Sequence, residues 1–310
     1  MYFKKINKNN SALAGVIEAL LLVGLVAIIL SIIQLNYVPE IMRQKESDHM
    51  DVVENQFSNL KSVIEIQSMM GVTESDTPIA YSPMSSLLTL GSSELPYFIS
   101  SKSYGDLNII DMDSTDDNKI NIQPMTISEY SSGIPLTSIV YSAQNAYIDD
   151  RNYILEGGGI ILNQNSGGNS IPVGRVRPAI TVQNKSEDGY IKIYYTIPVF
   201  VVHGEKRSAS GYKDTYIRTN YSNHDTHTGT ATIIKILSEN LEAWEDFISD
   251  EATGMLWEYD NIGYISISID NYDDLDPSSP LCIKIEPNSK DIRVDVTVIK
   301  IGIQVGPGIV

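Results

Sequence analysis

Two short acidic runs hold the densest supply of hard oxygen ligands in this 310-residue chain. They are Asp111-Met112-Asp113-Ser114-Thr115-Asp116-Asp117 and Asp270-Asn271-Tyr272-Asp273-Asp274-Leu275-Asp276. Calcium takes about six to eight oxygen ligands, and weak calcium loops are common in extracellular modules. Asp111, Asp113, Asp117, Asp270, Asp273 and Asp276 are therefore candidate calcium ligands, with solvated turn acids as the alternative reading. Neither run has the glycine and closing glutamate of an EF-hand. His224-Asp225-Thr226-His227 pairs two imidazoles with a carboxylate. A tetrahedral site needs further ligands, and the flanking Tyr221, Asn223, Thr228 and Gly229 read as a polar loop, so no firm metal site is expected there. Asn184-Lys185-Ser186 and Asn220-Tyr221-Ser222 are glycosylation sequons. Gly157-Gly158-Gly159 between two apolar runs reads as a hairpin turn rather than a phosphate cradle. No nucleophile elbow, phosphate loop, dinucleotide fingerprint or zinc pattern occurs. The expectation is a non-enzyme with no catalytic residues, no cofactor beyond the calcium candidates and no small-molecule substrate.

The elements that would carry these residues are mostly strands. Tyr264–Ile269 and Ile292–Val298 alternate apolar and polar residues, the signature of a sheet with one buried and one wet face. An apolar stretch runs from Ile191 to Val202, and further strands are expected at 107–111, 120–123, 145–156, 159–163, 171–182, 229–237, 281–286 and 300–306. One short helix is expected at Glu239–Asp250, capped by Ser238, with Leu241, Trp244, Phe247 and Ile248 on one face. The fold class is mainly β: an N-terminal helix, then an antiparallel β-sandwich-like domain with one short helix. Residues 71–105, rich in Ser, Pro and Gly, read as an extended connector, and residues 106–310 as the β-rich domain. That domain, expressed as residues 72–310 without the helix, is expected to fold by itself. Cys282 is the only cysteine, so no internal disulfide helps it.

Ahead of it, Ala12–Ile33 is an apolar run with Glu18 as its only charge. As a helix this run spans roughly 33 Å, enough to cross a hydrocarbon core of about 30 Å. No small-residue cleavage site follows it, so it reads as an anchor rather than a signal peptide. Lys4, Lys5 and Lys8 precede the run without an acid, so the positive-inside rule puts the N-terminus in the cytoplasm and the rest outside. The net charge is −17, and the remainder is more negative still once those three lysines are set aside. Nucleic acid and anionic lipid headgroups are therefore poor partners for the domain. The helix continues past Pro39, a candidate kink. Met50, Val53, Phe57, Leu60 and Ile64 recur at spacings of three and four, with Asp51, Glu54, Asn55 and Lys61 between them, and Gly71 is the expected stop.

Glu18 invites two readings. Either it reaches headgroup water from one turn inside the membrane, or it neutralises a positive group on a neighbouring chain. After the basic KKINKN, Ala14-Gly15-Val16-Ile17-Glu18 resembles the start of type IV pilin-like proteins, whose apolar helix carries a glutamate at the fifth mature residue. Here Leu13 stands where a small residue is usual, and processing after Ala12 or Gly15 would put Glu18 sixth or third. The chain also resembles a group of archaeal surface proteins with a pilin-like N-terminus. The matching pieces are Tyr37-Val38-Pro39 with Glu46 and His49, Asn152 to Gly158, and Glu239-Asn240 before Ala243-Trp244. The resemblance implies residues 1–13 as a cytoplasmic leader, 14–70 as a transmembrane and juxtamembrane helix, and an outer β domain. It supplies no catalytic residues. Two functions follow as expectations: a pilin-like subunit or adhesin that assembles with identical or related subunits, and a permanently anchored single-pass envelope protein outside any filament.

Overall fold

The computed structural model describes residues 10–73, 83–92, 103–112, 117–125, 127–166, 169–185 and 188–306. The basic leader and Asp113 lie outside them. Helix α1 (Asn10–Ile32) passes through one π-helical turn (Ile33–Tyr37) into α2 (Val38–Thr73). Pro39 explains the wide turn. It has no N–H for the carbonyl of Leu35, and its ring would collide with that carbonyl in a regular helix. The Val38 N–H instead bonds the Ile33 carbonyl, five residues back. The helix thus absorbs the proline without breaking. It also runs past Gly71, whose role is close approach: a Cβ there would lie 2.2 Å from the Tyr221 ring.

Three sheets follow. The first orders β1 (Met84–Thr89), β12 (Asp214–Ala231), β16 (Asp291–Val305), β10 (Tyr190–Val202) and β9 (Ile180–Lys185). The second orders β11 (Ser208–Gly211), β2 (Tyr104–Ile110), β5 (Ser138–Gln144), β6 (Arg151–Glu156), β7 (Gly159–Ser166) and β8 (Asn169–Val176). The third orders β14 (Ile265–Asn271), β15 (Leu281–Pro287), β13 (Ile233–Leu237), β3 (Lys119–Gln123) and β4 (Ile134–Pro135). Two short helices, α3 (Leu241–Ile248) and α4 (Trp257–Asn261), sit between β13 and β14.

The chain is mainly β with one long apolar N-terminal helix, as its patterning implies. Four particulars differ. The central pair β10 and β16 is parallel, with Tyr190 opposite Asp291 through to Val202 opposite Ile303, so the fold is not purely antiparallel. Everything from β11 to β15 lies in the crossover between them, long enough to return the chain in the same direction. A second short helix is present. Met84–Thr89, inside the segment read as connector, is an edge strand, and Leu88 and Leu90 are core residues. The segments 292–298 and 300–306 are one strand of 15 residues.

That long strand and β10 join two cores. Ile292, Val294, Val296 and Val298, with Ile191, Ile193 and Ile197, face one core with the third sheet and α3. Further along, Ile299, Ile301, Ile303 and Phe200 face the opposite side and a second core. The β6–β7 hairpin feeds both: Ile154 and Ile161 enter the first, Tyr153, Leu155, Ile160 and Leu162 the second. Its turn needs glycine. Gly157 and Gly158 have φ of +55° and +81°, and a Cβ on Gly157 would lie 2.8 Å from the Trp244 ring.

One wall of the second core is α2. Met50, Val53 and Phe57 are fully buried there, and Leu60 and Ile64 nearly so. Residues 72–310 alone would lack this wall. A fully buried aliphatic or aromatic side chain contributes about 1.5–3 kcal/mol, and removing α2 exposes the partners of five. Residues 38–310 are expected to give a soluble, cooperatively melting, mainly β protein, and residues 72–310 an aggregating or unfolded one. Phe57→Ala should cost about 3–5 kcal/mol in urea denaturation of the longer chain. A native-like cooperative melt of residues 72–310 would contradict this.

Candidate functional site: an exposed apolar helix clamped to the β domain

Every described side chain from Ala14 to Ile32 is exposed. The helix is long and apolar enough to cross a membrane. Leu35, Tyr37 and Ile41 are still exposed, whereas Met42 is fully buried. The stretch from Ala14 to Tyr37 rises about 36 Å at 1.5 Å per residue, close to a hydrocarbon thickness of about 30 Å. Glu18 stands on this exposed stretch. Tyr37, an amphipathic ring, lies at its other end, where such rings favour the membrane–water boundary.

Directly after it, polar side chains alternate with the apolar stripe of α2 and fasten the helix to the domain. Glu46 is fully buried. Its carboxylate accepts the N–H groups of Ala146, Tyr147 and Ile148 at 2.9, 2.8 and 3.0 Å. Three convergent N–H groups are a nest for an anion, and charge-assisted bonds of this kind are the stronger class. One turn on, His49 lies 3.0 Å from the Tyr141 hydroxyl, which donates its own proton to the Leu90 carbonyl at 2.8 Å. Tyr141 is therefore the acceptor towards His49, and Nε2 carries the proton. Burial lowers the His49 pKa from its ordinary value and raises that of Tyr141. Glu54 accepts from the Tyr153 hydroxyl at 3.0 Å. The Gln56 amide brackets Thr89 of β1, accepting its N–H at 2.9 Å and donating to its hydroxyl at 3.0 Å. Gln67 donates to the Thr219 carbonyl at 2.9 Å.

A second buried carboxylate ties the far side together. Glu156, 1% exposed, accepts from the Ser238 hydroxyl at 2.6 Å, the Trp244 indole at 2.7 Å and the Asn240 amide at 3.2 Å. Burial raises its pKa, against the pull of those donors. Ser238 also accepts the Asn240 N–H at 2.9 Å, so the expected cap acts on the residue leading into α3. Trp244, fully buried, packs edge-on against Phe247 in the first core, and α3 presents no free tryptophan face.

Among the described residues, no three His, Cys, Asp or Glu side chains gather as a metal-binding group. The Lys284 ammonium sits at Asp274 and, at 3.3 Å, at Asp270, in the position a cation would take. That contact is the leading cause of the lowered Asp274 pKa; for Asp270 the Asn271 N–H leads and Lys284 follows. Asp273 accepts the Leu275 N–H, and Asp276 the hydroxyl and N–H of Ser278, so one oxygen of each serves the turn. Asp111 is buried and paired with Arg207 at 2.8 Å, while Asp117 is exposed. His224 to His227 lie inside β12, not in a loop. An odd separation along a strand aims the two imidazoles at opposite faces, and His224 Nδ1 is bonded to the Tyr221 hydroxyl at 2.7 Å.

Asn184 is exposed on the edge strand β9, with Lys290 donating to its side-chain oxygen at 2.6 Å. Asn220 is half-buried in β12 opposite Gly302, its side-chain oxygen enclosed, a poor place for a glycan. Cys282 is buried. Lys61, read from the sequence as part of the polar face, is buried as well. No protein-family model matches the chain, and no curated protein or solved structure is similar to it.

Two measurements probe the clamp. Glu46→Ala strands three N–H groups and should cost about 3 kcal/mol or more, with Glu46→Gln costing less because one acceptor oxygen survives. Equal losses would mean that packing rather than the carboxylate holds the loop. For Glu156 the folded pKa lies above the ordinary 4.5. Its stabilising contribution is then complete below pH 4.5 and is lost as pH rises through the folded value. Urea melts of the wild type and Glu156→Gln should therefore show the wild type losing ground to the variant between pH 4 and pH 7. A stability gap independent of pH would contradict the assignment.

Proposed function

We infer that this chain is a membrane-anchored surface protein of pilin-like design, acting by assembly or binding rather than catalysis. The carrying observation is one continuous helix with two environments. Its first part is apolar and exposed from Ala14 to Tyr37, and its second is a wall of a folded domain. An exposed apolar cylinder of that length requires lipid or other apolar helices around it. Glu18, one carboxylate in that cylinder, favours a neighbour bearing a positive group. The free amine created by processing near Ala12–Gly15 is such a group. Lys4, Lys5 and Lys8 support a cytoplasmic N-terminus and a domain outside the cell. Leu13, in place of a small residue before Ala14, favours the alternative of an unprocessed permanent anchor.

Two experiments test this. Protease added to intact cells should remove the β domain and spare the first 35 or so residues; full protection until lysis would reverse the orientation. Glu18→Gln should leave insertion and folding intact while lowering sheared-filament yield against total membrane protein. Filaments that contain the chain and form equally well with Glu18→Gln would end the pairing role. An intact N-terminus by mass spectrometry, with no filament containing the chain, would leave the permanent anchor standing.

A further inference from the structure

A cleft of about 370 Å³ opens where the last turns of α2 meet the two long parallel strands. Ile64, Met69 and Val72 line it from the helix, and Leu155, Pro198 and Ile299 from the sheets. The volume falls in the range of small-molecule sites, about 300–1,000 Å³. Met69 is 71% exposed at its wall, an unbranched, polarizable side chain suited to closing over ligands of varied shape.

Lys61 gives the cleft its polarity. It also lines the cavity, and its side chain is only 9% exposed. Its ammonium has three N–H donors, yet among the described residues its acceptor is the Glu65 carboxylate, which is itself 42% exposed. A nearly buried ammonium with one acceptor carries desolvation that further acceptors would offset. The other polar groups of the lining are the Glu65 carboxylate, Ser68, whose hydroxyl donates to the Ile64 carbonyl, and the hydroxyls of Thr73, Thr196 and Thr297. The ammonium N–H groups that Glu65 leaves over, with the threonine hydroxyls and an apolar wall, match an amphiphile with a short hydrocarbon body and one anionic head.

We propose that this cleft binds a small amphiphilic carboxylate, its hydrocarbon body against Ile64, Met69, Val72 and Ile299 and its carboxylate at Lys61. The site is separate from the membrane helix, and its occupancy does not depend on whether the chain enters a filament. Lys61 lies far along α2 from Tyr37, about 36 Å at 1.5 Å per residue, which places the cleft beyond the reach of a bilayer around α1.

The test uses the full chain in lipid nanodiscs, with its methionine methyls labelled with carbon-13 and octanoate as the probe. The Met69 methyl resonance should shift saturably, with a Kd below about 1 mM. Met255 serves as the remote control. Octanamide, of the same shape without the charge, should bind at least about tenfold more weakly, and so should octanoate to Lys61→Met. Ala179→Trp fills the cleft from an exposed position on its rim and should abolish the Met69 shift while leaving the melting temperature near that of the wild type. No saturable Met69 shift, equal binding of octanamide, or an undiminished response in Ala179→Trp would each overturn the proposal.

Discussion

The arrangement depends on burying the apolar stripe of α2. Met50, Val53, Phe57, Leu60 and Ile64 form one wall of a core whose other walls are strands from two sheets, including Leu107, Tyr141, Tyr153 and Ile301. Neither side is satisfied alone. The helix would expose a row of large side chains, and the sheets would lose the surface against which Phe57 meets Tyr153 at 5.9 Å between ring centroids. Because α2 continues into α1 through a π turn and not through a loop, the helix that exposes the apolar stretch is the same one that the core buries.

Burial alone would let such a helix slide or rotate, since aliphatic stripes tolerate alternative packings. The polar groups along α2 remove that freedom. Glu46 holds three N–H groups of one loop, His49 reaches Tyr141, Gln56 brackets Thr89, and Gln67 takes the Thr219 carbonyl. Each makes its bond in one register only, and a slip by one residue would leave several more buried groups unpaired at about 1–3 kcal/mol each. Glu156 does the same for the β6–β7 hairpin and α3, joining Ser238, Asn240 and Trp244 across the first core. Neither glutamate has a cation as its partner; neutral donors hold both. In this fold Glu46, His49, Glu156, Asn240 and Trp244 work as fasteners between elements distant in sequence.

Periodicity made the long helix, most strands and α3 legible, because each presents one apolar face to a core. It failed where burial is two-sided or absent. The β10–β16 pair carries alternating patterns, yet nothing local in Ile191–Val202 tells that its partner is parallel and about a hundred residues away. The strand β12 was illegible because Ser222 to Thr226 is polar; pairing with β16 sustains it there, and a bulge near Tyr221 absorbs the irregularity. β1 hides among Ser and Pro residues because only Ser86 and Leu88 of its six are buried. Among the site residues, Glu46 and Lys61 read as ordinary members of a wet helix face. Their burial comes from loops and strands distant in sequence, so no helical pattern announces it. The pairing of the acidic run at 270–276 was equally hidden, since Lys284, its counter-ion, lies in the next strand.

The same geometry constrains what can surround α1. Its side chains are exposed on every side from Ala14 to Ile32, so one partner helix, covering one face, would leave most of that surface to be solvated by lipid. Several neighbours are needed to replace lipid altogether. Each neighbour that is a copy of this chain would bring its own β domain, because the domain begins at Met42, within two turns of Tyr37. Directly beyond that point the outward face of α2 carries Asp48, Asp51 and Asn55, with Val52 exposed among them, and Ile66, Met69, Met70 and Val72 are exposed further along. An assembly through α1 would be dry around the first helix. In such a dry bundle an unpaired Glu18 would be far more costly than at a lipid–water boundary, since no headgroup water reaches it. The charge at one position therefore separates a crowded environment from a lipid one more sharply than any feature of the β domain.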